Sequence, residues 1–180
     1  LFGNGEREQA AALIDDVLEA DEYNTDALLR RAALQIEDEE YDQAINNLRA
    51  ILNNSPETYK AMVLMAAAFE RQDNFSFAQA ELAKAFEASN KDAEVARQFA
   101  RFLLRRKNTE RAEEVLEDSL SVNPRNVENL RLLASIRLAK QDWRGAEEVG
   151  DMLTRAGQDN GLASTVKSAA YVGLQDYDSV

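Results

Sequence analysis

Five alanines, Ala10, Ala44, Ala78, Ala112 and Ala146, stand at a constant interval of 34 residues in a chain of 180. A second series, Ala32, Ala66, Ala100 and Ala134, runs through it in step and is continued by Ser168. A third is mostly aromatic, Tyr41, Phe75, Trp143 and Tyr177, with Thr109 as its one departure. A period of this length belongs to a stacked helical hairpin, in which small side chains let two helix backbones approach closely. Each unit then touches only its neighbours, and the core is a continuous strip.

The composition agrees with that reading and removes several functions. Only 7 glycines and 2 prolines occur, which favours helix almost throughout, and the 45% of hydrophobic residues can fill the strip. With neither cysteine nor histidine, Ser-His and Cys-His nucleophiles and thiolate or imidazole metal sites are excluded. Adjacent carboxylates such as Asp15-Asp16 and Glu113-Glu114 do not face each other on a helix, and no glycine-rich phosphate loop is present. No enzymatic activity, cofactor or metal is expected. The net charge of −12 repels a phosphate backbone, so nucleic acid is not an expected partner. No apolar run approaches the length of a membrane span. The chain begins with Leu1 and shows no basic-then-apolar leader. The expectation is a fragment of a longer chain, from the cytoplasm or a bacterial periplasm.

Setting the first position of a unit at Thr25, Tyr59, Ala93, Val127 and Gly161 divides the chain into units 25–58, 59–92, 93–126 and 127–160. A second helix in 1–24 precedes them and a first helix in 161–180 follows. Apolar residues at three- and four-residue steps, such as Met62, Met65, Ala66 and Phe69, predict helices over 6–20, 25–37, 41–53, 57–71, 75–88, 92–106, 109–121, 126–139, 143–156 and 161–173. Pro56 and Pro124 follow second helices, and Asn24, Asn90 and Asn123 stand near boundaries, where these residues stop, cap or turn a helix. The acidic run Glu37-Asp38-Glu39-Glu40 reads as a solvated turn. Gly145 and Gly150 fall inside a second helix, either for close helix approach or as a soft hinge.

This pattern resembles the tetratricopeptide repeat family. The family's unit has a small residue at the eighth and twentieth positions, matched by the two alanine series. Its large apolar eleventh position is matched by Phe69, Leu103 and Tyr171 but not by Gln35 or Arg137. The twenty-fourth is Ile14, Leu48, Leu82 and Leu116, with Gly150 as the exception. Proline at the thirty-second is matched by Pro56 and Pro124, and not by Glu22, Asn90 or Gln158. The resemblance implies an all-α fold, a right-handed α-solenoid superhelix of stacked antiparallel helix pairs whose first helices line a concave groove. It also implies a non-catalytic scaffold for a peptide or protein segment, or else an assembly module of a larger bacterial export or polysaccharide-related protein.

On that resemblance, the second, fifth, ninth, twelfth and thirteenth positions of first helices face the groove. The candidate partner-binding residues are Lys60, Val63, Arg71, Arg97, Arg101, Leu104, Arg105, Arg131 and Leu138. Arg97, Arg101 and Arg105 are four apart and share one helical face, where like charges cost about 0.2–0.5 kcal/mol per pair. A basic stripe in so acidic a chain suggests a partner with acidic residues or a free C-terminal carboxylate, which arginine's planar fork binds in two-pronged fashion. The other reading has these arginines paired with Glu94, Glu128 or Glu70, their stems laid over neighbouring helices. The carboxylate clamp that some relatives use on chaperone tails is incomplete, because Leu29, Ala33, Val63 and Ala67 stand where it needs polar groups.

Overall fold

The computed structural model describes residues 4–157 and 161–178, with side chains described for 6–157 and 161–175. Gln158 and the side chain of Tyr177 lie outside the described residues. Ten helices run through the described residues: α1 Asn4–Ala20, α2 Thr25–Glu37, α3 Tyr41–Asn54, α4 Tyr59–Arg71, α5 Phe75–Ala88, α6 Ala93–Arg105, α7 Thr109–Val122, α8 Val127–Ala139, α9 Trp143–Arg155 and α10 Leu162–Asp178. The fold class is an all-α helical repeat. One end differs from expectation by more than two residues: α10 continues to Asp178.

Side-chain caps begin several helices, each satisfying a backbone N–H that has no partner within the helix. Asn24 accepts from Ala27 N at 3.1 Å, Asp92 from Glu94 N at 2.9 Å and Val95 N at 3.1 Å, and Asn126 from Asn129 N at 2.9 Å. The turns inside the hairpins repeat one geometry. Glu39, Asp73, Lys107 and Gln141, again 34 apart, have φ of 65°, 58°, 60° and 59°. The next residue donates back across the turn, Glu40 N to Gln35 O at 2.8 Å, and Asn74, Asn108 and Asp142 to Phe69, Leu103 and Arg137 at 2.9 Å. This is a left-handed helix stop of the Schellman kind, which normally recruits glycine.

The chain falls into two compact units, Leu1–Asn90 and Lys91–Val180. In the first, each helix packs on the next from α1 to α5, and the first helices α2 and α4 also touch. In the second, the same holds from α6 to α10, with α8 touching both α6 and α10. The alanine series explain the close approach: Ala32, Ala44, Ala78, Ala100, Ala112 and Ala146 are 0% exposed. Ala66 and Ala134 are buried as well. Ala10 and Ser168 depart from this and are exposed. Leu13 and Tyr171 are exposed as well.

Around the alanine seams sit Leu48, Leu103, Leu116, Leu130 and Leu153, all fully buried, each contributing about 1.5–3 kcal/mol of burial. Gly150 and Gly173 are sites of close approach. A Cβ on Gly150 would come 2.6 Å from Lys167 Cγ, and one on Gly173 would collide with the ring of Trp143. Gly145 likewise lies under the side chains of Asp142 and Arg137.

Candidate interaction surface

The predicted groove residues divide between the two units. Lys60, Val63 and Arg71 lie on α4 of the first, where Lys60 and Arg71 are exposed and Val63 is half-buried. Arg97, Arg101, Leu104 and Arg105 lie on α6 of the second, and Arg131 and Leu138 on the adjoining α8. Helical spacing puts the α6 residues on one stripe.

The arginines are not equivalent. Arg97 is half-buried, paired with Glu94, and donates to Asn129 Oδ1 at 3.2 Å. Asn129 is fully buried, and its amide donates to Ser119 Oγ at 3.3 Å. Ser119 in turn donates to the Lys91 carbonyl at 2.9 Å. Arg97 thus belongs to a polar chain joining α6, α7 and α8, in which each buried group has a partner. Arg101 and Arg131 are exposed and make no side-chain hydrogen bond or ion pair among the described residues. Arg105 is exposed beside them, and Leu104 and Leu138 are half-buried. The surface of α6 and α8 therefore offers two uncommitted guanidinium groups on a partly apolar floor.

Sequence reasoning passed over a second cluster. Arg137 holds the eleventh position of its unit, where a large apolar residue was expected. Its side chain is 14% exposed. Its Nε donates to Glu113 Oε1 at 2.9 Å, a terminal nitrogen donates to Glu117, and another reaches the Gly145 carbonyl at 3.0 Å. Lys140 donates to the other Glu113 oxygen at 2.6 Å. Burial pushes the Glu113 carboxyl up, but hydrogen bonds from Lys140 and Arg137 outweigh it and hold its pKa below the ordinary value. Gln35, the other departure at this position, donates to Gln43 Oε1 at 3.3 Å and accepts from Asn47 at 2.8 Å. The signal was present as two breaks in the apolar pattern; the partners that make the breaks tolerable come from other helices. The acidic turn is solvated as expected, and Arg7 of α1 reaches Glu37 at 3.1 Å and Asp38 at 2.6 Å.

Among the described residues, no cluster of three or more acidic side chains could hold a metal ion. None of their helices is long and apolar enough to cross a membrane.

Helix pairs at a constant 34-residue interval, joined by one turn geometry and sealed by buried alanines, define a helical-repeat protein. Residues 97–161 match the family model described as tetratricopeptide repeat, and the ten helices have the helical-repeat fold of such proteins. Solved structures agree in fold. PilF of Pseudomonas aeruginosa is similar with a TM-score of 0.70 at 19% identity, over 97% of this chain and 79% of that one. YrrB, described as a TPR protein with an unusual peptide-binding site, gives 0.66 at 14% identity over 92% and 85%. A thermophilic TPR protein of Thermus thermophilus gives 0.58 at 20% identity over 92% and 91%. No curated protein matches the sequence significantly.

Proposed function

We propose that this protein is a non-catalytic interaction scaffold that holds an acidic peptide segment, or a free C-terminal carboxylate, on the first-helix surface of its second unit. The observation that carries the reading is the pair Arg101 and Arg131, exposed on adjoining helices and without partners among the described residues, in a chain of net charge −12. An uncommitted guanidinium is a ready two-pronged donor to a carboxylate. Rigid helices hold such donors in place, so little entropy is lost when a ligand binds. Arg105 adds charge, Leu104 and Leu138 supply apolar contact, and Arg97 acts by positioning α6 against α8. Lys60, Val63 and Arg71 form the corresponding surface of α4 in the first unit. Support by analogy comes from the fold neighbour described as having a peptide-binding site.

Calorimetric titration tests the reading with a twelve-residue peptide of alternating Asp and Ser, carrying a free or an amidated C-terminus. Binding is expected to weaken about tenfold in Arg101→Glu and in Arg131→Glu, and to weaken with added salt. Affinity untouched by either substitution and by salt would overturn it. A loss on amidation alone would assign the site to the terminal carboxylate.

A further inference from the structure

Where a second helix leads into the next first helix, three steps close with the same polarity. The twenty-fifth position of the unit is Asp15 at the α1–α2 step, bound to Arg31. It is Asp151 at α9–α10, 2.5 Å from Lys167, and Glu117 at α7–α8, bound to Arg137. A carboxylate on the second helix thus meets a cation from the seventh or eleventh position of the first helix that follows.

At the α3–α4 step the pattern inverts. The twenty-fifth position is Arg49, and the seventh and eleventh positions are Met65 and Phe69. Arg49 is exposed and has no side-chain partner among the described residues. Beside it lies an open cleft of about 720 Å³ lined by Leu52, Met62, Met65, Phe69 and Phe77. Phe77 is 63% exposed, and its ring centroid lies 5.3 Å from that of Phe69. The equivalent place in the second unit is plugged by Arg137. Its guanidinium reaches Glu117, the Gly145 carbonyl at 3.0 Å and Glu148 at 3.6 Å, the residues that correspond to Arg49, Phe77 and Ala80. In the first unit the floor is apolar and the lip is cationic. Lys84, also on the lip, is matched by Glu81 at 2.7 Å, which leaves Arg49 as the unmatched charge.

We infer that the cleft between α3, α4 and α5 is a second binding site, for a peptide segment that carries a large apolar side chain next to an Asp or Glu. The apolar group fills the cleft over Met62, Met65, Phe69 and Phe77, and the carboxylate takes Arg49. The occupant supplies from outside, with charge reversed, what Arg137 supplies from within. The volume suits one or two side chains, and thioether and aromatic walls adapt to varied apolar shapes. The site lies between the first helix α4 and the second helices α3 and α5 of the first unit and stands independently of the α6–α8 surface.

The test uses the full chain with ¹³C-methyl methionine and twelve-residue peptides of alternating Phe and Asp, with Lys replacing Asp, or Ser replacing Phe, as comparisons. Of the 3 methionines, Met62 and Met65 line the cleft, and Met152 lies on α9 as internal reference. Saturable shifts are expected at Met62 and Met65 and not at Met152, with the Phe-Asp peptide binding at least about tenfold tighter than either comparison. Arg49→Glu, Arg49→Gln and Phe77→Ser each weaken binding about tenfold. These positions are exposed, and unchanged melting curves confirm folding. Arg101→Glu and Arg131→Glu leave the Met62 and Met65 shifts intact, which separates this site from the α6–α8 surface. No shift at millimolar peptide, equal binding of the Lys peptide, or full affinity in a folded Arg49→Glu would overturn the inference.

Discussion

Replacing Arg137 by methionine removes one charge from the network joining α7, α8 and α9 and leaves the hydrocarbon stem nearly unchanged. Two charge-assisted bonds to carboxylates disappear, each worth about 1.5–3 kcal/mol when shielded from water. Glu117 is 47% exposed and recovers its lost bond from solvent, whereas Glu113 is 14% exposed and keeps only Lys140. Methionine restores part of the apolar burial of the arginine stem. The net loss is about 2 kcal/mol at pH 7. The dependence on pH gives a second signature. Glu113 has its pKa held below the ordinary value in the folded state. Its contribution is therefore complete above the unfolded pKa of about 4.3 and is lost as pH falls through the folded value. Without Arg137 the folded pKa moves back toward the unfolded one, so the variant has less to lose in acid. Urea unfolding followed by the fluorescence of Trp143, at about pH 7 and about pH 3.5, should show the gap between wild type and variant narrowing at the lower pH. A variant as stable as wild type at neutral pH, or a gap indifferent to pH, would refute the assignment of Arg137 as the shielded partner of Glu113.

Ala100→Leu forces three further carbons into a position that is 0% exposed and should cost about 1–3 kcal/mol in thermal or urea unfolding; a neutral result would mean that the α6–α7 seam is not tightly packed. Lys107→Gly relieves a non-glycine residue held at φ 60° and should stabilise by about 0.5–1 kcal/mol, read as a higher melting temperature. A decrease would mean that the lysine side chain contributes more than its backbone conformation costs.

The hairpin turns and the arginines show where reading the sequence stops. Hydrophobic period and small-residue interval depend on neighbours along the chain, so helix positions, the helical-repeat class and the buried alanines could be read directly. The left-handed residues at Glu39, Asp73, Lys107 and Gln141 could not, because no side chain there advertises the conformation; the hydrogen bonds across the turn impose it. Arg97 and Arg101 look alike as letters four apart on one stripe. Which is spent inside the fold and which is left over depends on Asn129, a residue on another helix. The same holds for Arg49, whose solitude is visible only when Asp15, Glu117 and Asp151 are seen with their cations. Local periodicity determined the repeat, since backbone helices need only the right spacing of apolar and small residues. Tertiary packing decided which charges remain for a partner, since an ion pair requires two side chains that only the stack brings within reach.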